Sequence, residues 1–438
     1  MNTIVFDLSN PQGAFKPLNA TNGGPWHKRH VQDQLRSNFD AYKAARMPYS
    51  RNHDSAVCGI YGGPYSHDIT RLFPNFDADP YNPDNYDFAC TDEAILTCLD
   101  AGTKTFFRLG QTIEHQIKKH DTLPPKDFRK WAVICEHVIR HYTEGWGDGL
   151  TLDMPYWEIW GEPDLDPDDS PNKRLWGGTK AQFFDLYEIT AKHLKGCFPH
   201  LKIGGPGLAG FDKEWATDFL REMRKRDVPI DFLSWHIYCV EPSSLIKRGE
   251  FFRAQLDQNG YTDTENICDE WNYVRDWGKE FQYSVNAMHG VKGAAFAMAC
   301  ITEAQNSSID MLMYYDTRPS AFNGVFDFYS YEPLKGYYPL YWYGMFYDAV
   351  VQIPATVTAD HLYALGGVMK DGSVMAVVTH YTDDDRATDQ TVTLDFGKSG
   401  TYEIFLLDDT HSGESVGVTD TLTFTLKNHS CMLIREKR

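Results

Sequence analysis

The sequence lacks several patterns that would assign it to a large class of proteins. It has no apolar run long enough to cross a bilayer, and it has no cationic leader with an apolar segment before a cleavage site. Its nine cysteines are odd in number and include no C-x-x-C pair, which argues against a disulfide framework. We therefore expect a soluble protein of a reducing cytoplasm.

Positive charge is also scarce. The 438 residues include 42 Lys and Arg against 61 Asp and Glu, a formal net charge of −19. No basic cluster is available to follow phosphates or anionic headgroups, so neither nucleic acid nor a membrane is expected as a partner. The sixteen histidines form no H-E-x-x-H motif, and no metal or other cofactor is expected.

Short apolar segments alternate with longer amphipathic ones through residues 12–348, as in a chain of βα units. The predicted strands lie near 15–18, 46–49, 103–110, 156–160, 201–205, 232–238, 266–271 and 309–315. The predicted helices between them include 92–101, 126–142, 181–194, 215–225, 244–259 and a long one at 285–305. Eight such units predict an α/β fold, the (β/α)₈ TIM barrel.

The pattern changes at residue 349, where helices give way to short alternating strands separated by polar turns. Segments 373–380, 390–395, 402–406 and 422–426 are examples. Residues 349–438 therefore predict a C-terminal antiparallel β-sandwich. A further strand within residues 1–11 is expected to pair with that sandwich.

Two glutamates follow apolar runs at predicted strand ends. Glu162 lies in Y-W-E-I-W-G-E-P-D-L, and Glu270 lies in I-C-D-E-W-N-Y. Cleavage of a glycosidic bond needs one neutral carboxyl to protonate the leaving oxygen and one carboxylate beside the anomeric carbon. Glu162 has a structural alternative, a buried glutamate paired with arginine. Asp269 is adjacent to Glu270, and only one of the two is expected to face the barrel mouth.

Other polar and aromatic residues near the predicted strand ends are candidate sugar contacts, because a TIM barrel builds its active face there. His236 taken alone would be a core histidine, but in S-W-H-I-Y it shares a strand face with Tyr238. Asp316 can equally form an ion pair with Arg318. The full set of candidates is Trp26, Arg51, His53, Gln111, Trp160, His236, Tyr238, Asn272 and Asp316.

These motifs resemble glycoside hydrolase family 39, within a clan of (β/α)₈ retaining glycosidases. The matching segments are W-E-I-W-G-E-P at 157–163, G-G-P-G at 204–207, D-F-L-S-W-H-I-Y at 231–238, D-E-W-N at 269–272, and the R-x-H of Arg51 and His53. The resemblance implies that Glu162 is the acid/base and Glu270 the nucleophile. It also implies that His236 and Tyr238 are neighbours of the nucleophile.

One position departs from the clan, which has asparagine before the acid/base. Here Gly161 occupies that position, although the asparagine amide normally holds the sugar 2-hydroxyl. The resemblance thus implies a glycoside or oligosaccharide substrate whose 2-position is handled differently.

The resulting hypothesis is a retaining exo-glycosidase that releases a terminal pentose, with a β-xyloside as the first candidate. An arabinoside is the second, and a galactoside or iduronide are further options. A catalytically inactive carbohydrate-binding barrel is the alternative from another class. The aromatic segment 322–331 can close either its own site or that of a neighbour, so a homo-oligomer stays open.

Overall fold

The computed structural model describes residues 2–25, 36–52, 66–210, 212–320 and 322–438. A first strand, β1 (Asn2–Phe6), precedes a closed barrel of eight parallel strands. In chain order the barrel strands are β2 (Ala20–Asn22), β3 (Tyr49–Arg51), β4 (Lys104–Leu109), β5 (Tyr156–Ile159), β6 (Lys202–Leu208), β7 (Phe232–Cys239), β8 (Glu265–Tyr273) and β9 (Met311–Tyr314). The pairing of β2 with β9 closes the ring, so the predicted TIM barrel is confirmed.

The first two barrel strands lie a few residues after their predicted positions at 15–18 and 46–49. Apolar Phe15, which suggested a strand, packs instead against the ring of Phe346 at a centroid distance of 4.9 Å. The apolar pattern therefore predicted the approximate positions of these two strands, but not which residues form their backbone hydrogen bonds.

Helices surround the barrel and alternate with its strands. Their bounds are α1 (Phe39–Ala44), α2 (Ile69–Leu72), α3 (Ala89–Asp100), α4 (Phe128–Thr143), α5 (Lys180–Cys197), α6 (Lys213–Lys225), α7 (Pro242–Gln258), α8 (Phe281–His289), α9 (Val291–Gln305) and α10 (Tyr337–Met345), with 3₁₀ turns at Pro83–Asn85 and Phe346–Asp348. The long helix predicted at 285–305 is wrong, because extended Gly290 separates α8 from α9.

The barrel interior is built in layers that follow the two-residue period of its strands. The layer nearer the amino ends of the strands is apolar and aromatic, and includes Phe106, Tyr156, Phe232 and Ile267. Two residues further along the same strands, the next layer contains the buried polar groups Arg108, Glu158, Ser234 and Asp269. Apolar and aromatic side chains therefore occupy the barrel interior near the amino ends of the strands, and polar and charged side chains lie nearer the carboxyl ends.

The C-terminal strands form two sheets around a separate apolar core. The six-stranded sheet has the order β10-β12-β13-β18-β15-β16, and the four-stranded sheet has the order β11-β1-β14-β17, so β1 pairs with C-terminal strands as predicted. The strands are β10 (Ala349–Ile353), β11 (Ala355–Val357), β12 (Leu362–Met369), β13 (Val374–His380), β14 (Gln390–Asp395), β15 (Thr401–Leu407), β16 (Ser412–Thr419), β17 (Thr423–Leu426) and β18 (Ser430–Lys437).

Asp383 of the C-terminal region anchors the end of β8. Its carboxylate accepts hydrogen bonds from the Tyr273 hydroxyl at 2.6 Å and from Arg275 Nη2 at 2.9 Å. The Lys292 ammonium lies 2.9 Å from the same group. These contacts fix the strand that carries Glu270.

The cysteines and the helices bear on whether the chain has disulfide bonds or membrane-spanning segments. Every cysteine in the described ranges is a free thiol, in agreement with the cysteine pattern. Over the same ranges, no helix combines the length and the apolar character that a bilayer crossing requires.

Candidate active site

Glu162 reaches the barrel mouth through a turn with left-handed backbone. Strand β5 ends at Ile159, and both Trp160 (φ 70°) and Glu162 (φ 46°) have positive φ. Such conformations cost on the order of 1–3 kcal/mol each for residues other than glycine, and they concentrate at functional sites. The Glu162 amide donates to the Gly207 carbonyl at 2.8 Å, which fixes the turn against β6.

Glu270 lies within β8, and its carboxylate is held by two donors. The Tyr238 hydroxyl donates a short hydrogen bond to Oε1, and Arg51 Nη1 lies 3.4 Å from Oε2. Burial raises the pKa of Tyr238 well above its usual range, and the negative charge of Glu270 raises it further, so the hydroxyl keeps its proton. Both contacts stabilise negative charge on Glu270.

His236 joins the two glutamates. Its Nδ1 lies 2.8 Å from Glu162 Oε1 and 3.6 Å from Glu270 Oε2, and its side chain is fully buried. Burial lowers the pKa of this imidazole, but the charges of Glu270 and Asp269 outweigh burial and raise it well above 6.5. One atom from each of His236, Glu162 and Glu270 fits within 4.8 Å of the others, so the two carboxylates face each other across a small gap.

A buried ion network lies beneath this pair. Arg51 Nε lies 2.8 Å from Glu158 Oε2 and 3.1 Å from Asp269 Oδ2, and none of the three side chains is exposed. Burial raises the pKa of Glu158 despite the opposing charge of Arg51. Burial also acts to raise the pKa of Asp269, but Arg51 and His236 outweigh it and lower that pKa. The network holds Arg51 in place for Glu270.

Asp269 and Glu270, of which only one was expected to face the barrel mouth, lie at a β-bulge in β8. The ladder pairs Trp235 with Cys268 and then His236 with Glu270, so Asp269 is the extra residue. Asp269 faces the buried layer and Glu270 faces the mouth, and both approach His236. The bulge interrupts the two-residue strand period, so both carboxylates point into the barrel interior while Glu270 alone faces the mouth.

Two glycines shape the walls of the site. Gly207 has φ 62°, and a Cβ there would lie 3.1 Å from Glu158 Oε1 and 3.2 Å from His236 Nε2. At Gly161 a Cβ would lie 3.5 Å from Arg51 Nη2, an ordinary contact. Among the described residues Arg51 Nη2 has no hydrogen-bond partner. The position before Glu162 therefore leaves room beside an available guanidinium donor.

The structure brings Arg51, His236 and Tyr238 to the two glutamates, and it shows four other candidates in contact with other residues. Trp160 is fully buried, packs on Trp176 and donates from Nε1 to the Leu175 carbonyl, so its side chain is not in the pocket. Gln111, Asn272 and Asp316 are also buried, and their partners are Thr70 for Gln111, the Tyr315 carbonyl and the Tyr273 amide for Asn272, and Arg318 for Asp316. Trp26 and His53 lie outside the described residues.

Two acidic residues near the site were missed by the sequence reasoning. Glu158 was overlooked, although the two-residue strand period from Tyr156 points it into the barrel. Asp164 accepts hydrogen bonds from the amides of Ala209 and Gly210 at 2.9 and 3.2 Å. Burial raises the pKa of Asp164 to about 6 against those two hydrogen bonds, with a further contribution from the charge of Glu162.

Two clusters in the described ranges place three potential metal-ligand residues within 4.8 Å of one another. The first is Glu162, His236 and Glu270, where the raised pKa of His236 favours an imidazolium that cannot ligate a metal. The second is Glu136, His193 and Cys197, where Arg140 Nε already occupies Glu136 at 2.8 Å. Neither donor set favours a metal over the contacts it already makes.

The fold and the site together define a TIM barrel with opposed carboxylates at the carboxyl ends of its strands, which is an architecture of glycosidases. The family model "Glycosyl hydrolases family 39" matches residues 67–308, more than half of the chain. The chain belongs to this family, and the resemblance found in its motifs is confirmed.

Two curated relatives are β-xylosidases that match part of the chain. One, from Geobacillus stearothermophilus, is 30% identical over 203 residues, covering 43% of this chain and 37% of the relative. The other, from Caldicellulosiruptor saccharolyticus, is 29% identical over 164 residues, covering 35% and 31%. The matches thus span about a third of the length of these relatives.

Solved structures match over the whole chain at lower identity. A glucosidase from Croceicoccus marinus has a TM-score of 0.80 at 23% identity, covering 100% of this chain and 99% of that one. A monomeric β-xylosidase from Caulobacter crescentus has a TM-score of 0.70 at 16% identity, with the same coverage. These likenesses confirm the barrel-plus-sandwich fold.

Proposed function

We propose that this chain is a retaining exo-glycosidase that releases a terminal pentose, with a β-xyloside as its substrate. The single observation that carries the proposal is that one carboxyl oxygen of Glu162 and one of Glu270 lie within 4.8 Å of each other, with His236 Nδ1 close to both. Retaining enzymes hold their two carboxyl groups about 5–5.5 Å apart, whereas inverting enzymes need about 6.5–9.5 Å to admit a water.

In the first step an oxygen of Glu270 attacks the anomeric carbon while the glycosidic C–O bond breaks. The leaving oxygen takes the proton of Glu162, and a glycosyl ester with Glu270 remains. In the second step Glu162 takes a proton from water, the water oxygen bonds to the anomeric carbon, and the ester C–O bond breaks. Atoms and charges balance, because the proton given in the first step is recovered in the second.

The neighbours of the two glutamates suit this division of roles. Tyr238 and Arg51 both contact Glu270, and they stabilise the anion that attacks and later departs. Glu162 contacts only the His236 ring among the described side chains within hydrogen-bond distance, and its carboxyl is the more exposed of the two, at 15% against 8%. This greater exposure suits Glu162, because the acid/base must contact both the leaving oxygen and the incoming water.

The pentoside assignment is supported by the two β-xylosidase relatives, although their matches are partial. A panel of nitrophenyl glycosides tests it directly, with β-xyloside, both ring forms of arabinoside, galactoside and iduronide as members. We expect the β-xyloside to have the highest kcat/KM. The highest value on another glycoside would replace the substrate, and sugar binding without release from any member would favour the inactive carbohydrate-binding barrel.

A further inference from the structure

An exposed tryptophan lies at the rim of the site, beside the tyrosine that contacts the proposed nucleophile. Trp277 is in the segment between β8 and α8 and is 57% exposed. Its ring centroid lies 4.9 Å from that of Tyr238, whose hydroxyl donates to Glu270. The large apolar ring of Trp277 therefore contacts a residue that itself contacts the reacting carboxylate.

Two phenylalanines support this ring from the protein side. Phe281, the first residue of α8, stacks on Trp277 at 5.6 Å with an interplanar angle of 22°. Phe322, from the segment after β9, lies 6.1 Å from Trp277 and 5.4 Å from Phe281. A scattered exposed ring needs no explanation, but this ring belongs to a cluster from two separate segments and is continuous with the site. The packing holds the indole in place while more than half of it stays accessible, so little ordering is needed when a ligand binds.

We infer that Trp277, supported by Phe281 and Phe322, forms a binding platform for the leaving group of the substrate. The inference rests on the proposed function, which places the reacting sugar between Glu162 and Glu270. That position is deep, because Arg51 and His236 around it are fully buried. The part of a substrate that extends outward from the deep sugar must pass the rim.

The chemistry of the platform selects leaving groups with a flat apolar face. A pyranose ring and an aryl ring both present such a face to an indole, and each stacks on it with a modest gain in affinity. A methyl leaving group is too small to reach and cover the ring. The structure therefore assigns this rim to a sugar or aryl group on the leaving oxygen, and not to the sugar that is transferred.

The test compares Trp277→Ala with wild type on one glycone and three leaving groups. The substrates are xylobiose, 4-nitrophenyl β-xyloside and methyl β-xyloside, or the corresponding trio of the glycone that the panel identifies. We expect kcat/KM to fall about three- to tenfold on the first two substrates and less than twofold on the methyl glycoside. Trp277→Phe should recover most of the loss, because it restores a ring.

The matched control is Tyr81→Ala, which removes another exposed aromatic, 64% exposed, that packs on His137 of α4 away from the two glutamates. It should leave all three values unchanged. An equal loss on all three substrates by Trp277→Ala would show that the ring only supports Tyr238, and no loss on any would show that it contacts no substrate. Either result overturns the inference.

A separate binding experiment keeps this inference apart from the proposed function. In a Glu270→Gln background, xylobiose should bind more tightly than xylose, and adding Trp277→Ala should remove that advantage. If the wild type hydrolyses nothing but this advantage exists and depends on Trp277, the platform stands and the proposed function falls. If xylobiose has no advantage over xylose, the platform falls whatever the activity.

Discussion

His236 Nδ1 lies 2.8 Å from Glu162 Oε1, and this contact joins the proposed acid/base to a fully buried imidazole whose pKa is raised well above 6.5. The two glutamates come from strands that are distant in the sequence, and His236 approaches both. The imidazole therefore contributes a positive charge between the two glutamates at neutral pH. Its titration is open to a direct stability measurement.

A histidine pKa that is raised in the folded state makes the free energy of unfolding fall as the pH rises. The extra stability is fully present below the unfolded pKa of about 6.5 and is lost as the pH rises through the folded value. We expect the unfolding free energy of wild type, relative to His236→Gln, to be constant below pH 6 and to fall above pH 6.5 by up to about 1.4 kcal/mol per pH unit. Urea denaturation between pH 5 and 9 measures this difference, and a flat or rising difference would contradict the charged imidazole.

Asp164 should also make stability fall with rising pH, but over a lower pH range, because burial raises its pKa from 3.8 to about 6. The folded state then holds a proton that the unfolded state has already released. Wild-type stability relative to Asp164→Asn should therefore fall by about 3 kcal/mol as the pH rises from about 4 to 6, and stay level above it. The same denaturation series checks this, and a difference that rises over that interval would refute the neutral carboxyl.

Tyr238→Phe removes the hydroxyl that donates to Glu270 and keeps the ring. Hydrogen bonds to charged groups contribute roughly 1.5–3 kcal/mol, so kcat/KM should fall about ten- to a hundredfold. The matched control is Tyr273→Phe, which removes a hydroxyl bonded to Asp383 outside the pocket. Tyr273→Phe should lower thermal stability more than activity, and equal activity losses in the two variants would argue against a specific role for Tyr238.

Gly161→Asn tests whether the missing amide matters. The Cβ of an asparagine there would lie 3.5 Å from Arg51 Nη2, and the proposed function expects its amide to bind the sugar 2-hydroxyl. We expect kcat/KM on the preferred xyloside to rise about three- to tenfold, with no gain on the matching 2-deoxy sugar. Gly161→Ala is the control, since it adds the Cβ without the amide. A loss in both variants would mean that the space at residue 161 is itself required.

The sequence predicted the barrel because alternation and amphipathic periods are local properties. It also indicated Glu162 and Glu270 as candidate catalytic residues, since both follow apolar runs. It could not foresee that a bulge at Asp269 turns two adjacent carboxylates inward, because register depends on the neighbouring strand β7. The burial of Trp160 could not be predicted either, because its ring packs on Trp176, which lies in a later segment of the chain.

In the proposed mechanism Glu270, rather than Asp269 or Glu158, forms the covalent bond to the sugar. A 2-fluoro glycoside of the preferred sugar slows the second step and leaves the ester attached. Mass spectrometry of proteolytic fragments then locates the added mass. We expect a single label on Glu270. A label on Asp269 or Glu158, or an active enzyme that never acquires a label, would disprove the role of Glu270 as nucleophile.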